Sequence, residues 1–299
     1  MLAQLKIIGS KIYNNFHTGP MVGIVTLLIG IVTLWVLYRA YKVQRLQSFE
    51  NKLFEMIKMH RENVAQFRFP QSTSDDALSN LSGRHVIKEI INKIIKILDK
   101  IDKYIDDIIK PEDPGSRELL KIKLAYYCVY YGYTPDDTDA LRQALIDESK
   151  YYSFPLPSSF GQEKGLILKE GCQIILGHYF RHMYHIVDYI NKQKFINKET
   201  KRYYVKLLRS QLSTDEQALL FLNSITPLGV DWWENKFMTE YKMVKNIPKS
   251  YFKKLKVAID AYFQGEDTYF EHKDSDKDKL VFDKFLKKLN DYNLKQKSQ

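Results

Sequence analysis

Apolar and polar positions along this chain follow three rhythms, and each of them predicts helix. The first is an unbroken apolar run, MVGIVTLLIGIVTLWVLY from Met21 to Tyr38, with no charged residue between Lys11 and Arg39. At about 1.5 Å per residue it matches a bilayer core of ~30 Å. Trp35 and Tyr38 close the run, where amphipathic rings favour the membrane interface, and Arg39 follows directly. Residues 17–40 are therefore predicted as a transmembrane helix after a short N-terminal segment, 1–16. A cleaved signal peptide is the rival reading, but its apolar stretch is usually shorter, and YRAYK offers no small-x-small cleavage site.

The second rhythm begins as the apolar run ends. Leu46, Phe49, Leu53, Ile57 and Val64 recur at three, four or seven residues, so the helix is predicted to continue out of the bilayer as far as Pro70. The polar stretch QSTSDDALSNLSG then reads as a loop. The third rhythm is a heptad seam: Ile87, Ile91, Ile94, Leu98, Ile101, Ile105 and Ile108 alternate steps of four and three until Pro111 stops them. Such a seam can fold back on the preceding helix or pair with a second copy of the chain. The short loop favours the hairpin, so residues 41–110 are predicted as a helical hairpin or coiled-coil-like stalk.

Residues 111–230 are predicted as a helical core domain. Its first part is broken by Pro111, Pro114, Pro135, Pro155 and Pro157, and holds the tyrosine-rich LAYYCVYYGY and a short helix around Asp137–Glu148. Interleaved tyrosines can stack on bases, although core packing is the commoner use of them. Helices over Lys169–Lys192, Lys198–Leu212 and Thr214–Ser224 follow. The last has Ser213 placed as N-cap and Glu216 three residues on, a capping box. Residues 231–299 read as a basic helical tail with a disordered end. The fold class expected is all-α: an N-terminal transmembrane helix, a long helical hairpin and a helical cytoplasmic domain.

Charge adds partners to this outline. The 299 residues carry a net charge of +10, which favours phospholipid headgroups, nucleic acid or an acidic protein. Arg39, Lys42 and Arg45 follow the span with no acid before Glu50, while only Lys6 and Lys11 precede it; that excess places the C-terminal body inside the cell. The two cysteines, Cys128 and Cys172, sit among apolar neighbours and are expected as buried thiols in a reducing compartment. No metal ligand set and no cofactor motif stands out. P-loop, G-x-S-x-G and G-x-G-x-x-G patterns are absent, and no Arg is followed by His at the spacing of a common helical ribonuclease class; Arg181 and His185 are one residue too close.

One segment places chemistry-bearing side chains together. On a helical projection of LGHYFRHMYHIVDYI, Leu176, Phe180, Met183, Val187 and Ile190 form an apolar face, and His178, Arg181, His182, His185 and Tyr189 gather opposite. His178 and His182 stand at i and i+4, as metal ligands can, but no third ligand accompanies them. Three accounts remain open: a solvated face, a site for an anionic ligand, or a buried polar network with the next helix, which carries Arg209, Gln211 and Glu216. The network is the preferred structural account.

The same residues carry a resemblance. LGHYFRHMYHIVDYI and YVKLLRSQLSTDEQALLFLN, with FEMIKMHRENV, SGRHVI and YYCVYYG upstream, resemble the blocks of the phage abortive infection family often called AbiC-like, in the same order over roughly Phe54 to Leu228. The correspondence falls on His60, Arg61, Glu62 and Asn63; on Gly83 and Arg84; on Gly177, His178, Tyr179, Phe180 and Arg181; and on Arg209, Gln211, Leu212, Ser213, Glu216 and Asn223. Beyond Asp231 no correspondence is found. The resemblance implies a bacterial antiviral role, in which the infected cell stops phage propagation, at the cell membrane where such proteins often carry a span. It brings no catalytic residues with it.

Two functional expectations follow, and a third stands behind them. The preferred one is a single-pass inner-membrane defence effector or sensor that acts through interaction, its partners being the lipid bilayer, a phage-derived or host protein trigger, and in some versions a second copy. The alternative is an enzyme acting on RNA or another phosphate ester through the His/Arg stripe. A membrane scaffold with no defence role is the third.

Overall fold

In the computed structural model the described residues are 20–69, 80–108, 114–132, 171–245 and 247–248, with the single positions 7, 11 and 251. For 20, 21, 102–108 and 114–120 the backbone alone is described. All regular elements among them are helical: α1 (Pro20–Ala65), α2 (Arg84–Ile108), α3 (Pro114–Tyr130), α4 (Gln173–Asn191), α5 (Lys198–Arg209), α6 (Thr214–Ser224), a 3-10 turn (Pro227–Gly229), α7 (Asp231–Glu234) and α8 (Phe237–Glu240). The short helix expected around Asp137–Glu148, and the tail beyond residue 251, lie outside the described residues. The chain divides into two compact units, Met1–Met56 and Ile57–Gln299.

In the first unit α1 is long and apolar enough to cross a membrane, and none of its most apolar window is buried inside the protein. A core helix of a soluble protein would bury such a stretch, whereas here Leu27, Leu34, Trp35 and Leu37 all stand exposed. The two hydroxyls within it turn back on the helix. Thr26 Oγ1 donates to the Val22 carbonyl at 2.9 Å and Thr33 Oγ1 to that of Ile29 at 2.8 Å, the local satisfaction that hydrocarbon surroundings demand. At the C-terminal end of the run the Arg39 guanidinium lies 4.5 Å from the Trp35 ring centre, and Lys42 Nζ 4.6 Å from that of Tyr38. Cations stacked on an aromatic girdle suit a headgroup layer. Of the stripe predicted along this helix, Phe49, Leu53, Ile57 and Val64 are buried and Leu46 is exposed.

The second unit is organised by the isoleucine seam. Ile87, Ile91, Ile94, Leu98 and Ile101 are buried, as are Val86, Ile90 and Ile97 beside them. This wide apolar face packs on two helices at once, α3 and α6. The seam was expected to fold back on the helix that precedes it; its principal neighbours in the structure are α3 and α6. The tyrosines of α3 belong to the core: Tyr126, Tyr127 and Tyr130 are buried, and Tyr126 stacks on Tyr130 with ring centres 5.7 Å apart. None of them is free to stack on a base. Cys128 and Cys172 are buried free thiols, pushed up to about 12 by burial.

Helix α6 is buried from Glu216 to Ser224 and lies at the centre, touching α2, α3 and α7. The chain turns tightly after it. A Cβ on Gly229 would come within 2.5 Å of the Asn223 carbonyl oxygen, so only glycine fits there. Trp232, Trp233, Phe237, Met238, Met243, Val244 and Ile247 are then buried in turn, and Trp233 Nε1 donates to the Ser224 carbonyl at 2.9 Å. These residues between 232 and 247 thus belong to the core, although a tail was expected from residue 231 onward. Its helices are four residues each, too short to display a helical period.

Asn223, buried at 2% exposure, donates from Nδ2 to the Tyr126 hydroxyl at 3.0 Å. Tyr126→Phe removes that acceptor and should lower the unfolding free energy of the detergent-solubilised chain by about 1–2 kcal/mol in urea titration. Ile94→Ala, at the middle of the seam, should cost about 2–4 kcal/mol.

Candidate functional site

The capping box at the start of α6 does more than begin a helix. Ser213 Oγ accepts from the Glu216 backbone N–H at 3.2 Å, and Glu216 Oε2 accepts from the Ser213 N–H at 2.7 Å. That same oxygen receives Arg84 Nε at 3.1 Å, although the Glu216 side chain is only 1% exposed. Arg84 opens α2 and its guanidinium also donates to the Gln211 carbonyl. A buried carboxylate is costly unless every lone pair is used; here it is spent on joining the first turn of α2 to the first turn of α6. Gly83 makes the approach feasible. Its φ is +60°, in the left-handed region that favours glycine, and its N–H donates to the Phe67 carbonyl at 3.1 Å just after α1.

Against this ion pair stands the last part of α1. His60 is 2% exposed, its ring parallel to that of His182 on α4 (centres 5.7 Å apart, planes at 9°) and 5.0 Å from that of Tyr179. Both nitrogens of His60 are buried without a hydrogen-bond partner among the described residues, as is His182 Nδ1. Burial, with His182 and the Arg84 guanidinium adding to it, holds His60 down to about 4. Burial, then His178 and His185, lowers His182 as well. Burial first, and then the Glu216 carboxylate, pushes the Tyr179 phenol well up. The imidazole pair is therefore uncharged at neutral pH.

His60 and the Arg84–Glu216 pair line a cleft of about 460 Å³ bounded by His60, Arg61, Val64 and Ala65 of α1, by Ser82 to His85 at the start of α2, and by Gln211 and Glu216; His182 and Tyr179 lie behind His60, outside that lining. Six residues on which the resemblance rests, His60, Arg61, Gly83, Arg84, Gln211 and Glu216, meet there from three parts of the sequence. The remaining ones lie elsewhere. Glu62 is exposed and paired with Lys58 at 3.8 Å, Asn63 is half-buried, and Asn223 holds Tyr126 in the core. Trp35, Tyr38 and Arg39 belong to the first unit.

The stripe on α4 separates. Its apolar face is buried as expected, but His178, Arg181 and His185 are exposed, and only His182 turns inward, to His60. Arg209 Nη1 donates to the Tyr241 carbonyl at 3.2 Å and to that of Lys242, holding a residue whose φ is +49°. Glu216 is drawn instead to Arg84 at the start of α2, and α4 meets α1 through the stacked rings of His182 and His60. Sequence reasoning missed the pairing of His60 with His182, since more than a hundred residues separate them; the signal available was that both fall in blocks of one family. Among the described residues no group of three His, Cys, Asp or Glu side chains could hold a metal ion.

The comparisons with known proteins bear on one wall of this cleft, that of Gln211 and Glu216. Residues 171–252 match the family model described as "Putative phage abortive infection protein", which bears out the resemblance and extends it past Asp231 through the buried tryptophans. The matched block holds His182, Gln211 and Glu216; His60, Arg61, Gly83 and Arg84 lie before it. No curated protein and no solved structure matches the chain.

Because His60 stays neutral when folded and takes a proton near its ordinary value when unfolded, the unfolded state binds more protons between pH ~6.5 and ~4. Stability should fall as pH falls through that window, by about 2–3 kcal/mol down to pH ~4.5. Urea midpoints of wild type and His60→Leu across this range test it: the variant should lose most of the slope, and equal slopes would exclude His60 as its source.

Proposed function

We propose that this chain is a membrane-anchored antiphage defence protein of the abortive infection type, whose helical body works on the cytoplasmic side. The matched block at residues 171–252 carries the reading, and the exposed apolar stretch of α1 supports the anchor. Transfer of that stretch into lipid removes apolar surface from water at roughly 25 cal/mol per Å², while the cations Arg39, Lys42 and Arg45 remain at the headgroups on the inner face. The body then acts by interaction, as sensor or effector, with the infected cell arrested at its own membrane. Exposure of His178, Arg181 and His185 leaves an enzyme built on that stripe without an enclosed site, so catalysis there is the weaker reading.

Phage plating on cells expressing the wild-type chain, with culture survival followed at low and high phage dose, tests the proposal. Protection at low dose with collapse of the culture at high dose is expected. Replacement of residues 17–40 by a soluble tag should abolish protection with body expression unchanged. Full protection from the untethered body would overturn the anchored mechanism, and no protection by the wild type across a broad phage panel would overturn the defence role. Arg181→Ala should leave protection within about twofold of wild type, because a lone exposed guanidinium contributes little to the fold.

A further inference from the structure

We infer that the cleft between the end of α1, the start of α2 and the start of α6 binds a small phosphate-bearing ligand of mononucleotide size. The inference is independent of the defence reading, since its test is a binding measurement on the purified chain.

The cleft contains what such a ligand requires. Arg61 and Arg84 both line it. Arg84 uses Nε on Glu216 and donates to the Gln211 carbonyl, so its position is fixed in advance, and more than half of its side chain remains exposed. Arg61 is exposed and makes no hydrogen bond or ion pair among the described residues. One carboxylate faces two guanidiniums, which leaves the lining cationic. The 25-residue α2 begins at the cleft wall, and the positive end of its dipole adds to that field. A guanidinium held in place by a buried acid recognises phosphate oxygens at little entropic cost.

Behind the cations lies the feature that a merely structural pocket leaves unexplained. His60 is 2% exposed, borders the cleft, and has both ring nitrogens unpartnered. The neighbouring His182 Nδ1 shares that condition. Each buried polar atom left so costs about 1–3 kcal/mol, and a core position of this kind would otherwise take Leu or Phe. A neutral imidazole supplies one donor and one acceptor. His60, bordering the cleft, can read a sugar hydroxyl or a base edge, while the arginines take the phosphate. The volume of about 460 Å³ admits a single nucleotide-sized molecule. A polymer would need a groove open at both ends.

The full chain, purified in detergent, is titrated with inorganic phosphate and separately with AMP, GMP, CMP and UMP, read by calorimetry and by thermal unfolding. At least one nucleotide should bind saturably at a ratio of one per chain and raise Tm, more tightly than inorganic phosphate. Arg61→Gln should weaken binding at least about tenfold with unliganded Tm unchanged. His60→Leu should abolish the preference for nucleotide over phosphate while keeping or raising unliganded Tm. Lys192→Gln, on the exposed end of α4, should bind as wild type. Equal affinity for phosphate and nucleotides would reduce the site to a simple anion site, which overturns the nucleotide-sized ligand. No binding of any probe at millimolar concentration, or an Arg61→Gln variant that binds like wild type, would overturn the inference altogether.

Discussion

The second unit depends on one buried carboxylate. Glu216 is nearly inaccessible, and it is placed at the N-terminus of a helix that is itself buried along almost its whole length. At that point it accepts from the Ser213 backbone N–H, and it draws Arg84 to the same oxygen. Because Arg84 begins α2, the ion pair also sets the register of the isoleucine seam against α6. Replacing the acid by an apolar residue would remove the cap of α6 and release a guanidinium that is more than half exposed to water, so the lost cap, about 1 kcal/mol, dominates the penalty. The cleft is a consequence of this geometry, since its arginine and its carboxylate are the two halves of the pair.

Close to that satisfied pair lies an unsatisfied one. The imidazoles of His60 and His182 stack in parallel, uncharged because burial has taken the proton from them. Protein interiors seldom leave several polar atoms without partners side by side, and where they do, stability has been given up for something. The contrast is physical: the Glu216–Arg84 contact fixes shape and charge at the cleft, and His60 beside it carries ring nitrogens left without a partner among the described residues.

The first unit follows other rules. Its apolar residues are not covered by protein, its threonines bond to their own helix, and its cations sit on its last aromatic rings. None of these features needs a tertiary partner. For that reason the run from Met21 to Tyr38 could be read directly from composition, as could the capping box at Ser213 and Glu216 and the bounds of α6, all of which are local.

What the sequence determined by itself were properties set within a few residues: helix as the common element, the apolar run, the buried seam of α2, the buried face of α4 and the start of α6. The 3.6-residue period and the cap chemistry both operate over one or two turns, so a linear reading captures them. What only the tertiary structure decided was which polar residues meet. Arg209, adjacent to the supposed network in sequence, turns to the carbonyls of Tyr241 and Lys242, and His60, distant in sequence, stacks on His182. The tryptophans beyond Asp231 likewise entered the core through close packing on α6 and the turn at Gly229. Partner choice for a polar side chain depends on distances across helices, and those distances are fixed by packing rather than by any pattern along the chain.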